Sequence, residues 1–187
     1  MSRRALHQQV RRGFTIIEAI ATIVVLAVLG SITSLLILNA VDGYSDTATS
    51  AQLHAEASIA LDRAVRELRR IELDSGASGI APNIDTVTAT SITWSDSAAN
   101  SFSLSLSGSD VMLAVDGGAA AILLADATAF SVATYDESNT ALAASLTGVA
   151  CDPIRRIAID VTLRQGEVIE SLRTKVFIRS TMSGGGS

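Results

Sequence analysis

Between Phe14 and Leu38 the sequence holds 25 residues with one charge among them, Glu18. Written as an α-helix, the run is about 37 Å long at about 1.5 Å per residue. A bilayer hydrocarbon core is about 30 Å thick, so the run spans it with some tilt. Residues 1–13 carry Arg3, Arg4, Arg11 and Arg12 and no acid. That one-sided charge places the leading segment in the cytoplasm and everything after residue 41 outside. A secretory signal has an apolar region of roughly 7–15 residues, shorter than this one. A plain N-terminal anchor accounts for length and charge but leaves Glu18 without a purpose. An acid in a membrane helix costs up to about 2.5–3.5 kcal/mol at the bilayer centre, less near its end, and is usually functional.

The rest of the composition narrows the function classes. Apolar residues make up 48% of the 187, and their excess lies in this run. Beyond residue 13 the chain has 10 basic and 19 acidic side chains, a net of −9. An acidic body of this kind does not attract nucleic acid by its phosphates, and no direct nucleic-acid binding is expected. Arg63, Arg66, Arg69 and Arg70 form a local basic cluster, read most simply as a solvated helix face. Cys151 is the one cysteine and cannot form an internal disulfide. With His7 and His54 far apart in sequence, it suggests no metal cluster, and no cofactor is expected. No serine sits in a nucleophile elbow, and His54 lacks an obvious partner, so the chain does not read as an enzyme. Asp110, Asp116, Asp126 and Asp136 lack calcium-loop spacing and read as turn and strand-edge acids.

After the apolar run, residues 39–50 are small and polar, and Gly43 is a place where a helix can bend on leaving the membrane. Helical patterning then returns. Leu53, Ala57, Ala60, Leu61, Ala64, Val65, Leu68 and Ile71 fall on one stripe. Asp62–Arg66 and Arg63–Glu67 are spaced as i,i+4 pairs off that stripe. The helix is expected to run to about Leu73 and stop at Asp74-Ser75-Gly76. From residue 84 the period becomes two. Val87, Ala89, Ile92 and Trp94, then Phe102, Leu104 and Leu106, then Val111, Leu113 and Val115 alternate with polar residues. Asp116-Gly117-Gly118 and Gln165-Gly166-Glu167 are hairpin signals, the latter joining strands at 155–164 and 167–179. Trp94 and Phe102 read as core residues. The expectation is an α+β fold: one long helix whose amphipathic half covers one face of a mostly antiparallel sheet.

Arg11-Arg12-Gly13-Phe14-Thr15-Ile16-Ile17-Glu18-Ala19-Ile20 resembles the N-terminal signal of type IV pilins and type II secretion pseudopilins. In that family a prepilin peptidase cuts after the glycine and methylates the new N-terminal residue, and the glutamate five residues on directs assembly. The resemblance implies cleavage between Gly13 and Phe14, N-methylation of Phe14, and Glu18 as the assembly residue. It implies the pilin fold, with a leader at 1–13, a membrane and filament-core helix at 14–41, an amphipathic half at 42–75, a β head at 76–183 and a flexible tail at 184–187. Residues 129–136, 155–163 and 174–179 are similar to minor pilins and the J-type pseudopilins. The implied partners are other pilin or pseudopilin subunits, the prepilin peptidase, an inner-membrane assembly platform and the cell membrane. The implied location is the bacterial cytoplasmic membrane, then a filament in the periplasm or at the cell surface. A disulfide-closed C-terminal loop, common in major pilins, is impossible with Cys151 alone. A helix-bending proline is also missing from the membrane half; Gly30, Thr33 and Ser34 are its soft points. The competing function class is a membrane-anchored extracellular binding domain outside any filament.

Overall fold

A computed structural model describes residues 15–96 and 98–182. The leader, the Gly13–Phe14 junction and the 184–187 tail lie outside the described residues. The fold is α+β: one long N-terminal helix, α1 (Ile16–Leu68), followed by antiparallel strands. The chain divides into two compact units, residues 1–45 and 46–187.

Gly43 lies inside α1 and does not interrupt it. The helix ends before the expected Leu73. Arg70 N–H donates to the Glu67 carbonyl (3.0 Å) and Ile71 N–H to that of Leu68 (3.2 Å), which tightens the last turn. The next residues have other partners: Asn83 N–H donates to the Glu72 carbonyl and Asp74 N–H to that of Ala81, both at 2.9 Å. Ile71 is still buried, so the apolar spacing outlasts the helix that first generates it.

Among the described residues the period-two segments form nine strands in two sheets. The first runs β1 (Ile84–Thr88), β2 (Ser91–Ser95), β3 (Ser101–Ser107), β4 (Asp110–Ala114) and β5 (Ala121–Leu124), with the two-residue β7 (Leu146–Thr147) added beside β1. The second pairs β6 (Ala127–Tyr135), β8 (Arg156–Gln165) and β9 (Val168–Phe177), with β8 central. All these pairings are antiparallel. The single sheet expected from sequence is therefore split. The break falls at Asp126, whose φ of 56° turns the chain between β5 and β6. Beyond it β6 takes β8, distant in sequence, as its ladder partner.

One apolar core joins these elements. Leu53, Ala57, Ala60, Leu61, Ala64, Leu68 and Ile71 are buried against inward residues of both sheets, and Val65 is half-buried at the margin. Trp94 stacks on its cross-strand partner Phe102, ring centroids 5.6 Å apart. Burying such rings dominates the stability of a core this size. A cavity lined by Ala60, Leu61, Leu104, Phe130 and their apolar neighbours is about 10 Å³, no more than one water needs.

The β8–β9 hairpin closes through Gly166 at φ 61°, in the left-handed region. An added Cβ there meets nothing within 4 Å, so only the backbone resists a substitution. Gly166→Ala is expected to destabilise the fold by about 1 kcal/mol, seen as a lower urea midpoint at unchanged slope. An unchanged midpoint would refute the left-handed geometry.

Candidate functional site

Thr15 caps α1. Its carbonyl accepts from Ala19 N–H (3.1 Å), and its Oγ1 accepts from Glu18 N–H (3.3 Å). Thr-x-x-Glu is the spacing of a capping box, and the threonine half of the box is made. Glu18 thus sits in the first turn, where an acid opposes the positive end of the helix dipole. Its carboxylate has no hydrogen-bond or ion-pair partner among the described residues.

The helix beyond Glu18 is suited to a medium without water. None of its most apolar 18-residue window is buried within the protein, and Ile16 and Ile17 are 82% and 80% exposed. It is long and apolar enough to cross a membrane. The hydroxyls in this stretch that make hydrogen bonds satisfy themselves. Thr22 Oγ1 donates to the carbonyls of Glu18 and Ala19, Ser31 Oγ to that of Val28, and Thr33 Oγ1 to that of Leu29. Such back-bonding removes the cost of placing hydroxyls in hydrocarbon. The Glu18 carboxylate, by contrast, has no such partner among the described residues.

The other sequence candidates fall apart in space or take local roles. His54 is exposed on α1. Of the two expected i,i+4 pairs, Arg63–Glu67 forms at 3.0 Å. Glu67 is buried at its helix end, a position the sequence reading put among solvated charges, and Arg70 meets its other oxygen at 3.1 Å. Bracketed by two guanidinium groups, the carboxylate is buried as a paired charge. The Asp136 carboxylate accepts from Thr140 N–H (2.8 Å), a turn role. Asp116 and Asp126 occupy positive-φ turn positions. No three His, Cys, Asp or Glu side chains assemble into a possible metal site among the described residues. Asp96, beside the β2–β3 turn, is held below the ordinary carboxylate range by hydrogen bonds from the side chain and backbone of Asn100. Cys151 is buried in the 3₁₀ turn Gly148–Cys151, and burial pushes its thiol up.

Sequence reasoning missed the outward face of the second sheet. Arg156, Asp160 and Arg164 on β8 oppose Phe177, Arg173 and Ile169 on β9. Lys175 Nζ lies 3.7 Å from the Tyr135 ring centroid, and Arg173 donates to the Tyr135 hydroxyl at 3.1 Å. The Arg156 guanidinium lies 4.9 Å from the Phe177 ring centroid. Alternation along β9 was the available signal: Arg173, Lys175 and Phe177 share one parity. No protein-family model matches the chain, and a search of curated proteins finds no match either.

Proposed function

We propose that the chain is a minor pilin or pseudopilin, a structural subunit that primes, caps or joins a type IV pilus-like filament. The observation that carries this reading is Glu18. It is a single acid at the capped start of an uncovered apolar helix, five residues after Gly13, with no partner among the described residues. Cutting between Gly13 and Phe14 removes all four leader arginines and creates an amine at the start of the helix. That amine and Glu18 are each costly in hydrocarbon and cheap when paired. Stacking of copies with an axial offset brings the amine of one to the carboxylate of the next. Glu18 then sets the register of the assembly.

Three further features support the reading. The α+β architecture, a long N-terminal helix followed by antiparallel sheets, is compatible with the pilin fold. Residues 129–136, 155–163 and 174–179, which resemble minor pilins and J-type pseudopilins, fall on β6, β8 and β9, the members of one sheet. The leader arginines orient the chain with its leader in the cytoplasm and residues after 41 outside the cytoplasmic membrane. The partners on this reading are other pilin-like subunits, a prepilin peptidase and an inner-membrane assembly platform.

The decisive test is the mass of the mature protein. Chain isolated from membranes of a host with a prepilin peptidase is expected to begin at Phe14 and carry one added methyl group. A mature chain that keeps Arg11 and Arg12 overturns the proposal.

A further inference from the structure

Charge is segregated along the second unit. Residues 71–154 contain ten acids (Glu72, Asp74, Asp85 and Asp96 the first of them) and no Lys, Arg or His. Residues 155–179 contain six bases and three acids. The fold concentrates the basic excess. Arg156, Arg164, Arg173 and Lys175 stand on the outward parity of β8 and β9, with Asp160 the one acid among these paired positions. The acid-only segment builds the six-stranded sheet and its turns, and also β6, which Asp136 and Glu137 follow; the other eight acids lie in 71–126 and 146–154.

The basic face also has the composition of a contact surface. Ile169 is 56% and Phe177 46% exposed, one near each end of β9, with Arg173 and Lys175 between them. Apolar anchors flanking guanidinium and ammonium groups are what interface cores select for. Arg173 is held by Tyr135 and by an ion pair with Asp160 (3.4 Å), and Lys175 by Tyr135 and by Asn139 Oδ1 at 2.6 Å. Less side-chain entropy is then lost when a partner arrives.

We propose that the outward face of β6–β8–β9 docks on the acidic six-stranded-sheet region of a second copy of this chain. The argument for a second copy is charge complementarity: each chain carries both halves of the contact, a basic face and, in 71–126 and 146–154, eight acids with no Lys, Arg or His. Because the two patches differ, the contact is head-to-tail. It leaves one patch free at each end of a pair and generates an open series of copies, not a closed dimer. This deepens the filament reading above by supplying a contact outside the membrane helix. It depends on Arg173 and Lys175 and not on Glu18.

The test is site-specific crosslinking of the full chain in detergent micelles. A photoreactive benzoylphenylalanine replaces Phe177, and isotopically light and heavy copies are mixed so that crosslinks between copies are identified by mass. Crosslinks are expected to join residue 177 of one copy to peptides within 72–126 or 146–152 of another. The yield should fall about tenfold in 0.5 M salt and in the Arg173→Glu/Lys175→Glu variant, since exposed charge pairs are screened within a few ångströms at high salt. Circular dichroism melting checks that the variant is folded. Crosslinks mapping to 127–145 or 155–179 of the second copy, or a yield indifferent to both salt and charge reversal, overturn the proposal. So does a chain that forms no crosslink to itself but is captured by single-stranded DNA through the same residues. Glu18→Ala separates the two readings. It should leave this crosslink in place even where filament recovery is lost, and loss of the crosslink in Glu18→Ala counts against an independent contact.

Discussion

Glu18→Ala is expected to reduce recovery of the protein in sheared filament fractions about tenfold or more, while the melting of the detergent-solubilised protein stays the same. The two halves of that result come from different parts of the molecule. The apolar core is built from Leu53 onward, and Glu18 is not among its residues. Removing its carboxylate therefore takes nothing from the core. Membrane insertion should be unchanged or slightly improved, because a desolvated charge is gone. On the proposed pairing, filament incorporation should fall in step, because the amine of the neighbouring copy loses Glu18 as its countercharge. Normal filament recovery by the mutant would remove the case for Glu18 as the register residue. A copy at the very tip has no neighbour above it and leaves one of the two groups unpaired. It should tolerate the substitution better than a copy in the shaft, so the size of the defect reports where the protein sits.

Trp94→Ala should cost about 3–5 kcal/mol, the largest effect of any single truncation considered for this fold. Trp94 is 2% exposed, stacks on Phe102 across the β2–β3 ladder and pairs with Ile84 on its other side. Its loss opens a cavity where helix and both sheets share one core, and the ladder on either side holds the walls apart. Because Trp94 is the only tryptophan, unfolding in urea is followed by circular dichroism. The outward-facing Ser103→Ala on the next strand is the control and should stay within about 0.5 kcal/mol of the parent. Overlapping unfolding curves for all three proteins would mean that the sheet register around Trp94 is wrong.

The parts of the fold that were legible in sequence are those where one periodicity holds without interruption. The stripe from Leu53 to Ile71 predicts the buried residues of the helix nearly one for one, because a helix against a core has no other way to hide them. Alternation predicts the strands and the Gly166 hairpin for the same reason. What was hidden depends on partners remote in sequence. The end of α1 is fixed by Ala81 and Asn83, which take the backbone groups that a longer helix would use. The division into two sheets turns on Asp126, whose local sequence looks like any strand-to-strand turn. Leu146–Thr147 is too short to show a period. At the candidate site the sequence shows Glu18 and its spacing from Gly13, and of Gly13, Phe14 and Glu18 the described residues include Glu18. The role of Thr15 as the helix cap needed the backbone, since a threonine before an apolar run fits a membrane helix equally well without capping it.

Cys151 has a consequence for the durability of any assembly. A chain with a single exposed thiol in an oxidising compartment becomes linked to another copy through a disulfide, and a non-covalent polymer turns into a permanent one. Here the thiol is fully enclosed, and its proton is held more tightly than in water. The thiolate that would attack a neighbouring sulfur is scarce and cannot reach one. The fold thereby keeps its one thiol out of circulation, so a non-covalent assembly of copies is not locked by a disulfide through Cys151.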